Sequence, residues 1–232
     1  MPKSAASSSP ASVPGGADAP GGVPRREPRS RAAIADRRRA ELLEAARQMV
    51  VERGMSSTRV TDIASATNVS GGLIHYHFAT KDELMAEMLR ATSQEEQQQL
   101  ERIAADPGSA VVRLDRVIRY YLPRSRTDQS WILWIEAWAA GLRSPVLREI
   151  LAELENAWLT VLEKVITDGV TAGELTCDDP AGAAERIDAL LDGLLLRATV
   201  HPEAISRRRL LEHVRLAVAR EVGVDRAAFP RT

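Results

Sequence analysis

Residues 58–84 have the sequence TRVTDIASATNVSGGLIHYHFATKDEL, which carries the caps and the turn of two short consecutive helices. Thr58 is expected to cap the first helix and Ser70 the second. Between them lies Asn68, a residue type that adopts the left-handed backbone of tight turns more readily than most. The apolar residues follow helical spacing in both segments: Val60, Ile63, Ala64 and Ile74. This stretch therefore predicts a helix-turn-helix unit.

A longer amphipathic helix precedes this unit and another long helix follows it. From Ile34 the apolar residues recur at steps of three and four until Gly54 supplies a C-terminal stop. Thr80 with Glu83 makes a capping box for a fourth helix, which is expected to end near Ala105. The small N-terminal part of the chain is thus predicted to consist of three helices.

The rest of the chain is predicted to contain five more helices. Proline is common at the first helical position, because its missing N–H would have no intrahelical partner there. With this start signal and the apolar periodicity, the predicted helices cover about 106–122, 131–142, 144–169, 179–200 and 206–222. No alternating strand pattern and no fixed repeat is present. We expect an all-α fold of about nine helices.

The composition agrees with a folded protein of the cell interior. Thirty-one basic and 32 acidic residues give a net charge of −1, and 44% of the residues are hydrophobic. Disorder throughout the chain is excluded by these values. The single cysteine, Cys177, cannot form an internal disulfide. No apolar stretch reaches the ~18 residues of a membrane span and no Leu-rich signal segment opens the chain, so we expect a cytoplasmic protein.

The N-terminal residues differ from the rest of the chain. Pro, Gly, Ser and Ala make up 21 of residues 1–30, so this segment cannot bury enough surface to fold by itself. We expect a disordered basic arm over 1–31, a helical domain over 32–80, a larger domain over 81–225 and a tail over 226–232. Between residues 25 and 39 the net charge is +5. That charge indicates either contact with a phosphate backbone or a solvated tail.

The segment from Thr58 to Leu84 resembles the DNA-binding domain of TetR-type transcriptional regulators. The likeness covers roughly Arg37 to Leu89 and includes the Val69-Ser70 pair, the Tyr-His-Phe run at 76–78 and Lys81. It implies that double-stranded DNA is a partner. The residues that would contact DNA are Arg37, Arg38, Thr58, Arg59, Ser70, Gly71, Gly72, Leu73, His75, Tyr76, His77 and Lys81.

Within this set the resemblance implies different roles. Thr58, Arg59 and Lys81 would contact phosphates, as would the cluster at residues 75–77, and Gly71, Gly72 and Leu73 would face base edges. Family members often carry polar or aromatic side chains at positions 71, 73 and 75, which this chain lacks or replaces. Readout by Gly-Gly-Leu would therefore use backbone groups, thymine methyls and DNA shape. A lysine at a helix start opposes the helix dipole, and a phosphate bound at Lys81 would remove that conflict.

The C-terminal part resembles the BetI-type subgroup of the same family, on residues such as Trp131 with Trp134, Trp158 and the runs at 142–145, 169–175 and 189–194. This resemblance implies a homodimer with an internal pocket for a small-molecule effector. Trp131, Trp134 and Trp138 are spaced to share one helix face. They either pack in the core or form a pocket wall for an aromatic or cationic ligand. The wall would be completed by a tyrosine of the preceding helix and by another tryptophan: Tyr121 (or Tyr120) and Trp158.

The last two helices are expected to form the dimer interface. They carry more apolar surface than docking on one domain requires, and in the resembling family they form a four-helix bundle across a two-fold axis. The predicted interface residues are Ile187, Leu190, Leu191, Leu194, Leu195, Leu210, Leu211, Val214 and Val218.

The function predicted from the sequence is a ligand-responsive DNA-binding regulator, with a repressor released from a palindromic operator as the leading hypothesis. Residues 1–90 carry a net charge of +3 and residues 91–232 a net charge of −4, which places DNA binding in the N-terminal part. No set of nucleophile, base and orienting residue indicates an enzyme. His75 and His77 diverge on a helix, so we expect no metal, and no cofactor is expected either. A helical DNA-binding dimer without an effector is the alternative.

Overall fold

The computed structural model describes residues 31–125, 128 and 130–231, and over these residues the protein is helical throughout, with no strand. Residues 1–30, which make up nearly all of the predicted arm, lie outside the described part. The α-helices are α1 Arg31–Arg53, α2 Val60–Ala66, α3 Gly71–His77, α4 Lys81–Ala104, α5 Ala110–Tyr121, α6 Ser130–Gly141, α7 Pro145–Thr171, α8 Pro180–Val200 and α9 Arg207–Glu221. The prediction of an all-α fold is confirmed. None of these helices combines the length and the apolar character that a membrane span requires.

Most helix boundaries follow from side-chain caps that the sequence shows directly. Ser70, Thr80, Ser144, Asp179 and Ser206 each accept a hydrogen bond from a backbone N–H of the first helical turn. These five caps satisfy donors that have no partner inside the helix.

The two predicted left-handed residues also occur where expected. Gly54 ends α1 with φ +85°, and Asn68 turns the chain between α2 and α3 with φ +52°. Two predicted helix starts are wrong. Arg59, not Thr58, is the N-cap of α2, and α5 begins at Ala110 after the cap Ser109, not at Pro107.

The apolar residues form two cores, and three helices contribute to both. The first core lies among α1, α2, α3 and the first half of α4, and it also contains Leu133 and Ala137 of α6 and Leu147 and Ile150 of α7. The second core lies among the end of α4 and helices α5 to α9. Helices α4, α6 and α7 therefore connect the helix-turn-helix part to the larger part of the molecule.

Part of the segment predicted as a tail, residues 226–229, packs against the rest of the chain. Residues Arg226–Ala228 form a short 3-10 helix, and Phe229 is buried in the second core. The aromatic ring lies 6.0 Å from the guanidinium carbon of Arg215. The buried ring of Phe229 anchors this short segment to the second core.

A buried ionic cluster joins α5 to α9 inside the second core. Asp115 and Arg215 are both almost fully buried, and Arg215 Nε donates to Asp115 Oδ1 at 2.6 Å. Arg119 Nε donates to the other carboxylate oxygen at 2.8 Å. Both oxygens of the buried carboxylate are thus bound by guanidinium groups, which offsets the cost of removing the charges from water.

Replacing Asp115 with alanine should destabilise the protein strongly, because the buried guanidinium group of Arg215 would lose its counter-charge inside the core. We expect the free energy of unfolding to fall by about 3–5 kcal/mol. Urea denaturation at fixed protein concentration measures this change. Glu212→Ala is the control, since it removes an exposed ion pair with Arg208 on α9 and should cost no more than about 1 kcal/mol. Equal losses in the two variants would contradict a structural role for the buried cluster.

Candidate nucleic-acid interface and ligand cavity

The short helix α3 is anchored by its apolar side and leaves its other side open. Ile74 and Phe78 are 1% and 3% exposed and fix the helix against the first core. Tyr76, in contrast, is 83% exposed, and Gly72 and His75 are exposed as well. Most of this large aromatic ring is accessible, so this side of α3 is suited to contact a partner.

The two glycines of α3 are not required by the fold. A Cβ atom added at Gly71 would meet no atom within 4 Å, and one at Gly72 would meet only Ser70 Oγ at 3.8 Å. Both residues have helical backbone that any amino acid could adopt. Glycine costs helix stability relative to alanine. Packing within the chain does not explain why residues 71 and 72 are both glycine. The bare backbone at these two positions would instead allow another molecule to approach α3 closely.

The predicted arginines lie on exposed or half-exposed helix surface close to acidic partners. Arg37 and Arg38 of α1 both lie near Glu41, with shortest nitrogen–oxygen distances of 3.5 and 2.7 Å. Arg59 is exposed at the start of α2. Exposed ion pairs of this kind are weak, so these guanidinium groups can exchange a carboxylate for a phosphate at small cost.

Two residues of the predicted DNA-contacting set have internal roles instead. Thr58 is fully buried, and its hydroxyl donates to the Gly54 carbonyl at 2.9 Å, which closes the turn after α1. Lys81 Nζ donates to the carbonyls of Met55 and Ser56, at 2.7 and 3.3 Å. Burial lowers the pKa of this half-buried ammonium group. The conflict between Lys81 and the dipole of α4 is thus relieved by two carbonyl groups of the same chain.

The second feature is a cavity of about 100 Å³ that opens between α4, α5, α6, α7 and α8. All five aromatic residues that we expected in a pocket wall line it: Tyr121, Trp131, Trp134, Trp138 and Trp158. Their rings lie close together, with centroid distances of 4.2 Å for Tyr121 and Trp158 and 5.9 Å for Trp131 and Trp138. The tryptophans thus pack against the second core and line the cavity at the same time.

Four carboxyl groups also line this cavity, and our sequence analysis did not assign them to it. They are Glu96 of α4, Glu155 of α7, and Asp188 and Asp192 of α8. The carboxylate of Asp188 accepts a hydrogen bond from the indole N–H of Trp158. A signal was present in the sequence, because Asp188 and Asp192 are spaced i, i+4 within a run, residues 187–196, that carries no other charged or polar side chain.

The cavity environment changes the acidity of these groups. Burial, reinforced by neighbouring carboxylates, raises the pKa of Glu96 and of Asp192 to about 7. Burial also raises the pKa of Asp188, although the hydrogen bond from Trp158 acts in the opposite direction. The pKa of the Tyr121 phenol lies well above its usual value for the same reason. The cavity therefore combines aromatic faces with acidic groups that lack a counter-ion among their neighbours, a combination that favours a cationic ligand.

Helix α6 connects this cavity to the helix-turn-helix part. Glu136 lies between Trp134 and Trp138 in sequence and points away from them, as expected from helix geometry. Its Oε2 accepts a hydrogen bond from the Met55 backbone N–H at 2.8 Å, directly after α1. A second contact lies nearby, where Ser144 Oγ donates to Asp82 Oδ2 at 2.6 Å. The wall of the cavity and the turn that precedes α2 are therefore in direct contact.

The predicted dimer interface needs correction. Seven of the nine residues are at most 2% exposed, because α8 and α9 pack their main apolar faces into the second core of their own chain: Ile187, Leu191, Leu195, Leu210, Leu211, Val214 and Val218. Leu190 and Leu194 are only partly buried and line a groove of about 430 Å³ together with Leu216 and basic residues of both helices. The part of α8 and α9 that their own chain leaves partly exposed is this outer groove.

Comparison with known proteins finds a matching family for each of the two parts of the chain. Residues 42–88 match the family of bacterial regulatory proteins described as the tetR family, and residues 110–223 match the BetI-type transcriptional repressor C-terminal family. The transcriptional regulator BetI of Escherichia coli O45:K1 is 28% identical over 173 residues, which cover 73% of this chain and 86% of that protein. These families and relatives are transcriptional regulators and not enzymes.

Solved structures agree with this assignment. A transcriptional regulator from Saccharomonospora viridis, solved in complex with choline, superposes with a TM-score of 0.73 at 24% identity, covering 81% of this chain and 98% of that one. A TetR-family regulator from Rhodococcus superposes with a TM-score of 0.71 at 25% identity, covering 81% and 99% of the two chains. The arrangement of helices is thus shared along nearly the whole length of these regulators.

Replacing Gly71 or Gly72 with alanine should separate stability from DNA binding. Each variant should be as stable as the wild type or more stable by up to about 1 kcal/mol, because alanine favours the helix and its methyl group meets no atom closely. Affinity for DNA selected from a random pool should fall about tenfold or more, since one lost base contact is worth about 1–3 kcal/mol. Urea denaturation and fluorescence anisotropy measure the two effects.

Gln94→Ala, at an exposed position of α4, is the control for a helix-stabilising substitution outside this surface. It should leave DNA affinity unchanged. If both glycine variants bound the selected DNA as tightly as the wild type, the strip at 71–72 would not be part of the DNA-contacting surface.

Proposed function

Because the chain belongs to the TetR family of transcriptional regulators and has a BetI-type C-terminal part, we propose that it is a homodimeric repressor that a small organic cation releases from a palindromic operator. The observation that carries this proposal is the cavity in which tryptophans and unpaired carboxyl groups meet, one helix away from the helix-turn-helix part. The protein would act in the cytoplasm, where its DNA partner is found.

Operator binding would use helix α3 in the major groove. In a two-fold symmetric dimer the two copies of α3 enter successive major grooves about 34–36 Å apart. The exposed ring of Tyr76 and the glycine strip at 71–72 support this orientation of the helix. Arg37, Arg38 and Arg59 would then bind phosphates beside the groove.

The proposed effector is a compact cation without N–H groups, such as a quaternary ammonium ion. Indole and phenol faces attract a cation through their electron-rich rings, and the carboxylates add direct charge attraction. A quaternary ammonium ion needs no hydrogen-bond acceptor, so aromatic walls can satisfy it fully. The similar regulator from S. viridis was solved with choline, which is an ion of this class. A cavity of about 100 Å³ suits a small head group of this kind.

Release from DNA would pass through α6. A ligand between Trp134 and Trp138 pushes on the side of α6 opposite to Glu136, and any rotation of this helix strains the bond from Met55 N–H to Glu136. The turn held by that bond leads into α2 and α3. A cation that binds better to the rotated arrangement would therefore lower operator affinity, and DNA would lower cation affinity by the same factor.

Tetramethylammonium and choline should each weaken binding to the selected operator, whereas the uncharged analogue 3,3-dimethylbutan-1-ol should not. Tryptophan fluorescence reports cation binding directly, because all four tryptophans of the chain line the cavity. Anisotropy of labelled operator reports release. In Glu136→Ala the cation should bind within about twofold of the wild-type affinity, while its effect on DNA binding should fall several-fold, since the link to Met55 is removed.

Glu136→Gln is the matched variant, because its amide oxygen can still accept the bond from Met55 N–H, and it should keep most of the coupling. Full coupling in Glu136→Ala would show that the signal takes another path. Cation binding without any loss of operator affinity would favour the alternative of a DNA-binding dimer without an effector.

Leu194→Glu should disrupt the dimer, because it places a charge in the groove between α8 and α9 that a second chain would cover. Sedimentation should show a monomer, and operator binding should be lost although every residue of α3 is unchanged, since one half-site supplies too little affinity. Leu142→Glu changes an equally apolar but 74% exposed residue after α6 and should leave the dimer intact. A Leu194→Glu protein that stayed dimeric and bound the operator would exclude this groove as the interface.

A further inference from the structure

The cavity contains more carboxyl groups than a single small cation could neutralise if all of them were ionised. Four carboxyl groups line it, while none of its lining residues is a lysine or an arginine. Glu96 reaches the cavity from α4 and Asp192 from α8, and neither forms an ion pair or a hydrogen bond with another described residue. If all four groups were ionised in the empty cavity, their mutual repulsion would have no compensation.

The four carboxyl groups do not have the same environment. Asp188 accepts a hydrogen bond from the Trp158 indole, which favours its charged form. Glu155 is exposed at the edge of the cavity, where water solvates its charge. Glu96 and Asp192 are half-buried beside aromatic rings, so their charged forms have neither a hydrogen bond from a described residue nor full exposure to water. These two groups are therefore the ones that must change their protonation if the cavity charge changes.

We propose that cation binding in this cavity releases a proton: Glu96 and Asp192 hold protons on their carboxyl groups while the cavity lacks a cation, and this pair loses a proton to solvent when a cation enters. This inference rests on the proposed function, since it concerns the same cavity and the same class of ligand. It adds that the ligand exchanges for protons, so that the response of the regulator to its effector depends on pH.

Among the groups that face Glu96 and Asp192, the acidic ones oppose ionisation of these two carboxyls, and the basic ones favour it only weakly. Glu155 and Asp188 raise the cost of ionising Asp192, and Glu95 does so for Glu96. Helix α6 contributes only indole rings to the cavity. The remaining charged or titratable neighbours among the described residues lie near the two tyrosines of α5: Tyr120, Tyr121, Arg102, Arg124 and Asp128.

The direction of the pH effect follows from the raised pKa values of about 7 for both groups. A bound cation stabilises the carboxylates and so lowers their pKa. Above pH ~8 both groups are already ionised and cation affinity is constant. Below pH ~7 each proton that must leave weakens binding, by about tenfold per pH unit for one proton and more if both are released.

The test is a titration of the full-length protein with tetramethylammonium at constant ionic strength from about pH 5.5 to 8.5, followed by tryptophan fluorescence. The expected dissociation constant is level at the alkaline end and rises about tenfold or more per pH unit at the acidic end. Calorimetry in two buffers with different ionisation heats should show that protons are released on binding near pH 6.5.

Glu96→Gln and Asp192→Asn should each weaken cation binding and reduce the number of released protons, which flattens the pH profile. Glu101→Gln, an exposed position on α4, should keep the wild-type profile. The uncharged analogue 3,3-dimethylbutan-1-ol carries no charge to exchange for a proton. Any fluorescence change that it causes should not increase with pH, and urea denaturation verifies that the two cavity variants are folded.

The outcomes separate this inference from the function on which it rests. A cation affinity that is constant across the pH range, with no buffer-dependent heat, overturns proton exchange while the proposed effector class stands. A wild-type slope in both Glu96→Gln and Asp192→Asn also overturns it, because other groups would then release the protons. If tetramethylammonium and choline fail to bind at every pH, the proposed effector class fails and the inference fails with it.

Discussion

The 12 residues of helix α6 pack into two hydrophobic cores and also form one hydrogen bond to the turn after α1. Leu133 and Ala137 are buried in the first core, Trp131 is buried in the second, and Glu136 binds the Met55 backbone N–H. Because packed interiors resist partial displacement, this helix cannot shift at the cavity without a change at the turn after α1. The placement of the aromatic cavity, the helix-turn-helix part and the contact between them all depend on this constraint.

The carboxyl groups in and beside the second core differ in whether the chain pairs them with a positive charge. We assign the paired group to stability and the unpaired groups to ligand binding. Asp115 is enclosed by Arg215 and Arg119, so both of its oxygens are satisfied by groups of the same chain. Glu96 and Asp192 are half-buried at the cavity, and none of the residues that line this cavity is a lysine or an arginine. Burial without a partner costs stability, and such sites are concentrated where a protein binds something. The unpaired acids thus support a ligand site more strongly than the aromatic residues, which also serve as core.

The surface that we propose for DNA contact is, in contrast, built from exposed groups that are weakly held. Its recognition helix has only seven residues, with Ile74 as the single buried side chain within it. The surface offers bare backbone at residues 71–72, one large exposed ring and arginines that are held loosely by Glu41. Thr58 and Lys81, which have the chemistry of phosphate ligands, maintain the turn that positions this surface. A residue type that could bind phosphate can therefore serve instead to position the surface that makes the contact.

The sequence by itself determined the features that depend on neighbours three or four residues apart. The caps at Ser70, Thr80 and Ser144, the turn at Asn68 and the shared face of Trp131, Trp134 and Trp138 are local, and each could be identified without knowledge of the fold. The resemblance to the DNA-binding domain of TetR-type regulators likewise rests mainly on one short stretch, residues 58–84.

The tertiary structure alone decided which of several apolar or polar faces turns inward. Helices α8 and α9 are apolar over more than one face, so periodicity could not show that Leu191 and Val214 pack inside the chain while Leu194 remains at the groove. Glu96 and Asp192 are 96 residues apart in the sequence, and Glu136 and Met55 are 81 apart. Such pairs meet only through the packing of several helices, and no local pattern encodes the free energy that brings them together.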